Sequence, residues 1–484
     1  MADPSVYGAS WYAANAVDAP ARGKLNLELD IDVCVIGAGL AGLAVALEVA
    51  RRGWSVAVLE ARRIAWNASG RNAGFVTPGF SAAAKPLADK VGLAHAQKLW
   101  ALSESGVEYV RRTIRETDMP GIELEETGWL HVSRTGDQVA EQAEFLVRLG
   151  ATAEFWPESR VRSVLRSERY FGGVFLPNAF SIHPLNYALG LAAAAEAVGV
   201  RIFEETPALE IDPAGVRKRI TTPSARVRTG HVVFAGNVHI DTLRPDIAGT
   251  LSETWAHSIV TEPLGERLQD AVRFRGAVTD NAAGDSDYRI VGGDRLLWSS
   301  RTTVREGSPR RYGRRIQADI RRVYPQLGNV EAEYAWSGAL GTPVHRMPQI
   351  GELSPGVWLL SGFGGQGIAT TAMGGQIVAG AIVDGDQRWR LFEPFDLVWA
   401  GGGLGRAAVQ VSDWYGRGRE SVSGWLARRR SAGRRPDIAD DAIAAVPDPS
   451  VDRPSDEQPK RRGRKRRKAK VPDEPGASTP AASA

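Results

Sequence analysis

Three glycines and one acidic residue near the N-terminus have the types and spacing needed to bind a dinucleotide. The glycines, Gly37, Gly39 and Gly42, form a GxGxxG pattern, and Glu60 follows 18 residues after the last of them. The first glycine permits a tight turn, the second lets a pyrophosphate approach the backbone, and the third allows close packing of helix on strand. The acid accepts hydrogen bonds from an unphosphorylated ribose, so the pattern favours FAD or NAD over NADP.

The residues around these glycines form the strand–helix–strand unit that such binding requires. Ile31–Ile36 is predicted to be a strand, Leu40–Arg52 has helical spacing, and Ser55–Glu60 is a second, almost continuously apolar strand. The helix N-terminus would direct N–H groups and the positive end of its dipole at the phosphates. The candidate cofactor residues in this unit are Gly37, Gly39, Leu40, Ala41, Gly42, Glu60, Ala61 and Arg62.

Two further glycine-rich segments are candidates for contacts with the same cofactor. Ile64–Gly74 is rich in Ser, Asn and Arg, which suit phosphate and ring contacts. Gly362–Gly367 also reads GxGxxG, but the helix after it leads into polar residues rather than a strand, so we reject a second dinucleotide site. Its helix N-terminus suits the flavin edge that gains negative charge on reduction. The candidates here, with Gly236 after a third strand, are Ser69, Gly70, Arg71, Asn72, Gly74, Gly362, Gly364, Gly365, Gln366, Gly367 and Ile368.

The length and the order of elements indicate two domains. The 484 residues exceed the roughly 250–300 at which one hydrophobic core stops growing. Apolar strand–helix signatures occur at the start, near Val232 and at Val357, and mixed helical and strand patterns lie between them. The sequence therefore predicts a discontinuous nucleotide-binding domain interrupted by a second domain.

Composition and charge exclude several classes of protein. Lys460–Lys470 contains nine basic residues and no acid, so the net charge of +4 becomes −5 without them, and we expect nucleic acid to bind weakly through the tail at most. The seven histidines form no HxH or HxxxH pair, so no metal site is predicted. The longest uncharged apolar stretch, Val33–Leu47, is shorter than the ~20 residues of a membrane span. With no leader pattern at the N-terminus, we expect a cytoplasmic protein.

Several motifs of the sequence resemble those of the D-amino acid oxidase-like family of FAD-dependent oxidoreductases. Within that family, the sequence is most similar to the γ-glutamylputrescine oxidase branch. The motifs extend from residue 10 to about residue 430 and include the glycine pattern and the segment after Glu60. The matching segments are Ser10–Ala14, Gly37–Gly42, Glu60–Ile64, Ala68–Asn72, Ile182–Leu185, Thr261–Leu264, Trp336–Gly338, Arg346–Pro348 with Gly351, Gly362–Gly367 and the Arg- and Trp-rich helices predicted toward the C-terminus.

The resemblance implies an α/β fold with an α+β substrate domain. A discontinuous Rossmann-like FAD-binding domain would carry an inserted substrate domain built on an antiparallel sheet. We assign residues 1–30 to an N-terminal arm, 31–110, 181–250 and 335–385 to the FAD-binding domain, 111–180 and 251–334 to the substrate domain, 386–436 to C-terminal helices and 437–484 to a disordered basic and acidic tail.

Departures from the family pattern favour an amine substrate. The arginine that binds the substrate carboxylate in related amino-acid oxidases is replaced by Leu340, and a lysine of sarcosine-type oxidases is replaced by Ala369. An unpaired carboxylate would be costly to bury, so oxidation of an amine, polyamine-derived or γ-glutamylated, is predicted. The alternatives are an amino-acid oxidase or dehydrogenase that uses Arg289 or Arg346, and, with less support, an RNA-acting flavoprotein.

The flavin carries the chemistry in this family, so no catalytic residue is assigned. Tyr288, Trp298 and Trp336 are predicted to form aromatic walls that attract a cationic amine. Family members with a cysteinyl flavin use a cysteine in the C-terminal half, whereas the single cysteine here, Cys34, lies in the first strand, so the resemblance implies non-covalent FAD, with a histidyl link as the remote alternative. His183 before a proline is interpreted as opening a helix. The oxygen-activating lysine of sarcosine-type members has no evident counterpart, so the electron acceptor is either O2 or a quinone or electron carrier.

Overall fold

A computed structural model describes residues 7–280 and 286–402, apart from the side chains of residues 301 and 302. The predicted tail, 437–484, and most of the predicted C-terminal helices, 386–436, lie outside the described residues. Strands β1–β18 and helices α1–α12 are numbered in chain order.

Two large sheets and one small pair contain the strands of the described ranges. The first sheet consists of β1 (Leu29–Ile36), β2 (Val56–Leu59), β8 (Arg201–Phe203), β9 (Glu210–Asp212), β10 (Lys218–Thr221), β11 (Arg226–Phe234), β17 (Gln349–Ser354) and β18 (Val357–Ser361). The second consists of β4 (Trp129–Val132), β5 (Glu154–Pro157), β6 (Gly172–Leu176), β12 (Leu251–Thr261), β13 (Ala277–Asp280), β14 (Ser286–Val291), β15 (Arg295–Thr303) and β16 (Ala332–Pro343). β3 (Phe75–Val76) and β7 (Phe180–Ser181) form the small pair.

The helices connect and cover these sheets. They are α1 (Trp11–Ala14), α2 (Leu40–Arg51), α3 (Ala68–Arg71), α4 (Ala84–Val91), α5 (Leu93–Thr117), α6 (Val139–Arg148), α7 (Glu158–Val164), α8 (Pro184–Ala197), α9 (Pro245–Ala248), α10 (Glu266–Ala271), α11 (Pro309–Val323) and α12 (Gly367–Asp384). Short 3-10 turns occur at Asn237–Ile240, Pro325–Leu327 and Arg388–Phe392. None of the helices within the described ranges is long and apolar enough to cross a membrane.

The first sheet has a parallel centre that explains its apolar strands. Its order is β17-β18-β11-β1-β2-β8, and the strands from β18 to β8 are parallel. All four residues of β2 are buried, as expected for a strand covered on both faces. Helices α2 and α12 pack closely against each other, because a Cβ on Gly375 would lie 2.6 Å from that of Ala44. This packing fixes the end of α2 that faces the glycine pattern.

The second sheet is largely antiparallel, as predicted, with the order β16-β12-β15-β14-β13-β4-β6-β5. One pair, β4 with β13, is parallel. The sequence boundary at residue 335 needs correction, because β16 pairs with β12 along its length and belongs to this sheet. The pairing partner of β16 is distant in the chain, so local patterning could not identify it.

His183 caps the start of α8, as the sequence interpretation expected. Its imidazole Nδ1 accepts a hydrogen bond from the backbone N–H of Asn186 at 3.1 Å, and Pro184 occupies the first helical turn. The side chain is fully buried, and this burial lowers the pKa of His183 to about 3. The folded protein therefore holds a neutral histidine under conditions in which the unfolded chain takes up a proton.

We expect His183 to make the protein sensitive to acid. A histidine with a lowered pKa contributes its full stability above pH ~6.5 and loses it as the pH falls toward the folded value. At about pH 5 the loss should be about 2 kcal/mol. His183→Asn keeps a capping acceptor but does not titrate, so urea unfolding at about pH 7.5 and about pH 5 should show a smaller loss for the variant. Equal losses in both proteins would assign His183 an ordinary pKa.

Candidate active site

One cavity of about 710 Å³ brings together residues of both large sheets. Its walls include the glycine turn after β1, the end of β2, helix α3 and the N-terminus of α12. The opposite wall comes from the second sheet and from helices α5 and α6. This volume is within the ~300–1,000 Å³ of cofactor and ligand sites.

Two positions of the glycine turn, Gly37 and Gly42, require glycine. Gly37 has a φ of +106°, in the region that favours glycine. A Cβ on Gly42 would lie 1.9 Å from the carbonyl oxygen of Gly37, which no side chain can tolerate. Gly39 precedes α2, and the Leu40 N–H donates to Ser69 Oγ at 3.0 Å. The turn and the first residues of α2 border the cavity, so the N-terminus of α2 lies where a phosphate would bind.

Two backbone N–H groups hold the Glu60 carboxylate, one at each oxygen. Its oxygens accept hydrogen bonds from the N–H groups of Ala38 and Arg62, each at 2.8 Å. Burial raises the pKa of Glu60, while these two bonds act in the opposite direction. The carboxylate is consequently fixed at the cavity wall, where a ribose would bind.

Helix α3, after Glu60, contributes a half-buried cation, Arg71. The Arg71 guanidinium donates to the carbonyl oxygens of Ser337 and Tyr7 at 3.2 and 3.1 Å. Its Nε and the Oε1 of Gln366 are buried without a hydrogen-bond partner among the described residues. Both residues line the cavity, so these polar atoms are available to a bound molecule.

The second glycine-rich segment closes another side of the cavity. Ser81 Oγ donates to the Phe363 carbonyl at 3.2 Å and accepts from the Gly365 N–H at 3.0 Å. A Cβ on Gly364 would lie 2.4 Å from Ser81 Oγ. This pairing places the N-terminus of α12, which has no side-chain cap, against the cavity.

Most of the predicted cofactor residues line this cavity, and four pack behind it. The lining residues are Gly37, Gly39, Leu40, Ala41, Glu60, Ala61, Arg62, Ser69, Arg71, Asn72, Gly236, Gly364, Gly365, Gln366, Gly367 and Ile368. Gly42, Gly70, Gly74 and Gly362 are not part of the lining. Cβ atoms on Gly70 and Gly74 would lie 2.4 and 2.2 Å from carbonyl oxygens, so these glycines permit close backbone packing.

The three aromatic pocket candidates do not line the cavity, which corrects the sequence interpretation. Tyr288 and Trp298 are fully buried and stack on each other at 4.3 Å, in the hydrophobic core behind the second sheet. The Tyr288 hydroxyl bonds to those of Tyr170 and Tyr324. Trp336 is also buried, and its indole N–H donates to the Arg71 carbonyl at 2.9 Å. It supports the cofactor loop from behind.

Residues next to two of the aromatic candidates in the sequence line the cavity in their place. Side chains alternate between the two faces of a strand, so a shift of one residue changes the face. Asp287 beside Tyr288 and Ser299 beside Trp298 line the cavity. Sequence reasoning also missed the aromatic lining residues Trp100, Trp129 and His131 and the polar residues Ser81, Thr279 and His239. Their apolar or isolated surroundings in the sequence gave no signal.

The residues present fit an FAD molecule. The glycine turn would hold the pyrophosphate, Glu60 a ribose, and the α3 loop with the start of α12 the flavin end. The unpartnered Arg71 Nε and Gln366 Oε1 offer one donor and one acceptor, which a polar cofactor can satisfy. In the ranges that the structure describes, no three His, Cys, Asp or Glu residues gather at a possible metal site.

Known proteins resemble this chain in sequence and in structure. A sequence profile of the family described as FAD dependent oxidoreductase matches residues 32–381. A probable oxidoreductase designated OrdL from Haemophilus influenzae is 32% identical over 376 residues, covering 75% of this chain and 85% of that protein. The gamma-glutamylputrescine oxidoreductase of Escherichia coli K12 is 30% identical over 393 residues, covering 79% and 91%. Glycine oxidase from Geobacillus kaustophilus has a TM-score of 0.62 at 20% identity, covering 74% of this chain and 96% of that one, which shows a shared fold.

Proposed function

Because this chain belongs to the FAD-dependent oxidoreductase family, it is a flavoenzyme, and we propose that its substrate is an amine. The predicted family, α/β fold class and FAD cofactor are confirmed by the profile match and the relatives. The proposed reaction oxidises the C–N bond of a polyamine-derived or γ-glutamylated amine. The E. coli relative, whose name specifies gamma-glutamylputrescine, supports this choice.

The observation that carries the proposal is the buried position of Arg289 outside the cavity lining. This arginine is 1% exposed, and its guanidinium donates to the carbonyl oxygens of Ala73 and Ile182 at 3.1 and 2.9 Å. It is not among the cavity-lining residues, so it does not offer a substrate carboxylate the cation that an amino-acid oxidase needs. Leu340, at the position of the family's carboxylate-binding arginine, does line the cavity. An amine whose oxidised carbon bears no carboxylate avoids the cost of an unpaired carboxylate at the reaction site.

The protein's own contribution is binding, orientation and exclusion of water. Trp100, Trp129 and His131 give the wall opposite the glycine turn an aromatic surface, and the Trp129 and His131 rings stack with planes 7° apart. Such a surface holds an alkyl amine and keeps water from the reacting carbon. FAD, when bound, would supply the oxidising chemistry by taking a hydride from the carbon next to the nitrogen, and water would hydrolyse the resulting imine to an aldehyde or keto product and to ammonia or an amine.

We further propose that FAD is held without a covalent bond, and that O2 or a quinone or electron carrier reoxidises it. Cys34, the single cysteine of the sequence, is completely buried in β1, and this burial raises the pKa of its thiol. A buried, protonated thiol is inert. Release of the flavin on denaturation with acid should therefore be complete.

A second candidate function, oxidation of an amino acid, depends on Arg346. This exposed residue lines the cavity from the loop between β16 and β17 and has a left-handed backbone, with φ of +60°. A guanidinium at this position could bind a substrate carboxylate.

Product analysis distinguishes the two functions. We expect putrescine and γ-glutamylputrescine to yield an aldehyde or its cyclised form, and Arg346→Ala to retain this activity. Turnover of glycine or D-amino acids without turnover of either amine, together with its loss in Arg346→Ala, would instead support the amino-acid function.

A further inference from the structure

One end of the cavity is lined by apolar side chains, and we call this part the apolar lobe. Its side chains come from helices α4 and α5, from α6 and the residue that follows it, and from strands β4 and β6. The lobe residues are Leu87, Trp100, Trp129, Leu146, Leu149, Val174 and Leu176. Each of them is at most 8% exposed, and none of these seven carries a charge.

Strand β6 forms one wall of the lobe. Its residues Val174 and Leu176 pair directly with His131 and Trp129 of β4, and all four line the cavity. Phe175, between the two aliphatic residues, packs against the hydrophobic core behind the second sheet. Side chains alternate between the faces of a strand, so the pairing of β6 fixes two apolar side chains toward the cavity.

Helices α4 and α6 cover this wall. Helix α6 packs on β6 and contacts α4. Leu87 lies four residues after Ala83, and Leu146 lies four residues after Gln142, so each pair shares one face of its helix. Ala83 and Gln142 are exposed and also line the cavity. The lobe therefore extends from buried leucines to an end that is exposed to solvent.

The lobe adjoins the end of the cavity that we assign to the flavin. A Cβ on Gly79 would lie 3.1 Å from the Trp100 ring and 3.5 Å from Gln366 Oε1. Gln366 immediately precedes α12, whose N-terminus faces the cavity. Glu60 and the glycine turn, the proposed sites of the ribose and the pyrophosphate, belong to the first sheet and are not lobe residues. The lobe is thus placed to receive a molecule that reacts at the flavin.

We infer that the apolar lobe binds the hydrocarbon part of the amine substrate, and that Val174 and Leu146 are specificity-determining residues. The inference rests on the proposed amine oxidation and narrows its substrate class to amines with an extended, uncharged hydrocarbon portion next to the reacting carbon.

The chemistry of the lobe favours such a chain over one that carries a second charge. A methylene chain gains free energy when it leaves water for apolar surroundings, whereas a second ammonium group loses its hydration there. The two indole rings offset only part of that loss. A γ-glutamylated diamine fits the class, because its second nitrogen is a neutral amide and its charged groups would lie at the exposed end.

Amines of matched length test the lobe. Hexylamine and hexamethylenediamine differ in one terminal ammonium group, and propylamine is a shorter homologue of hexylamine. For the wild-type enzyme, kcat/KM should be about tenfold or more higher for hexylamine than for the diamine. Each methylene that enters the lobe should raise kcat/KM about fourfold, so hexylamine should also exceed propylamine by about tenfold or more.

Two variants change the lobe, and a third is their control. Val174→Thr adds a hydroxyl with almost no change in volume and should raise the KM of hexylamine about fivefold or more, with a smaller effect on propylamine. Leu146→Ala, which removes apolar surface near the exposed end, should act in the same direction. Val147→Thr makes the matched change at a residue of α6 that is 52% exposed, and it should alter neither KM.

Calorimetric titration with hexanol and propanol measures the lobe without catalysis, because these alcohols lack the reacting nitrogen. Hexanol should bind to the flavin-bound enzyme about tenfold or more tightly than propanol. Val174→Thr should reduce this difference, and Val147→Thr should preserve it.

The failure of the lobe and that of the proposed function give different results. If hexamethylenediamine is used as well as hexylamine, or if Val174→Thr raises the KM of hexylamine and propylamine equally, the inference is wrong while amine oxidation stands. If no amine, γ-glutamylputrescine included, reduces the bound flavin, the proposed function has failed. The alcohol titration then decides the lobe alone, and equal binding of hexanol and propanol would overturn it.

Discussion

Gly42→Ala is expected to yield a protein that retains almost no FAD. The new Cβ would lie 1.9 Å from the carbonyl oxygen of Gly37 and 3.1 Å from its carbonyl carbon. Both contacts are with backbone, so either α2 or the glycine turn must move, and the N–H groups that face the phosphates move with it. Overpacking of this kind costs about 3 kcal/mol or more, which corresponds to binding at least about a hundredfold weaker. The ratio of flavin to protein absorbance after purification, followed by titration with FAD, measures the effect.

Gly23→Ala is the matched control for this substitution. No atom lies within 4 Å of a Cβ on Gly23, and the backbone there is not left-handed. The control should purify with the same flavin content as the parent. If Gly42→Ala also retained its flavin, the turn would not be the phosphate site.

Glu60→Gln should weaken FAD binding about ten- to a hundredfold without unfolding the protein. The carboxylate accepts N–H groups from Ala38 and Arg62, and we propose that it also accepts the ribose hydroxyls. The glutamine side chain carries no charge, and its NH2 group would face one of these two N–H donors. Hydrogen bonds to charged groups contribute about 1.5–3 kcal/mol, from which the range of weakening follows. Equilibrium titration of the apoprotein with FAD gives the two dissociation constants.

Glu205→Gln controls for the loss of an acid near the same site. Glu205 is exposed and pairs with Lys24 at 2.9 Å, and surface pairs of this kind contribute little. Its FAD affinity should equal that of the parent. If Glu60→Gln bound FAD as tightly as the parent, we would conclude that Glu60 supports the backbone and is not a ribose ligand.

The cofactor half of the site could be predicted because its signals are local. Strand β1, the glycine turn, helix α2, strand β2 and Glu60 follow one another within about 30 residues, and their boundaries agree with the sequence analysis to within two residues. Two of the three glycines have local steric reasons, namely the positive φ of Gly37 and the 1.9 Å approach of a Cβ on Gly42 to the Gly37 carbonyl oxygen. Helix α12 could be predicted for the same reason, because Gly362–Gly367 stands directly before it.

The substrate half could not be predicted, because it depends on which face each strand turns toward the cavity. In β14, Asp287, Tyr288 and Arg289 alternate between faces, and each residue type suits a pocket as well as a core. The choice is made by the pairing of β14 with β13 and β15 and by the tyrosine network behind the sheet. These are contacts between distant segments, which local periodicity does not contain.

The most direct test of amine oxidation is anaerobic mixing of the flavin-bound enzyme with γ-glutamylputrescine, putrescine, glycine and D-alanine in separate experiments. The visible absorbance of oxidised flavin is recorded before and after air is admitted. We predict that the absorbance is lost with at least one of the two amines and persists with both amino acids, and that the rate of its return identifies O2 as a fast or a slow acceptor. Loss of absorbance with glycine or D-alanine, and with neither amine, would contradict the proposal.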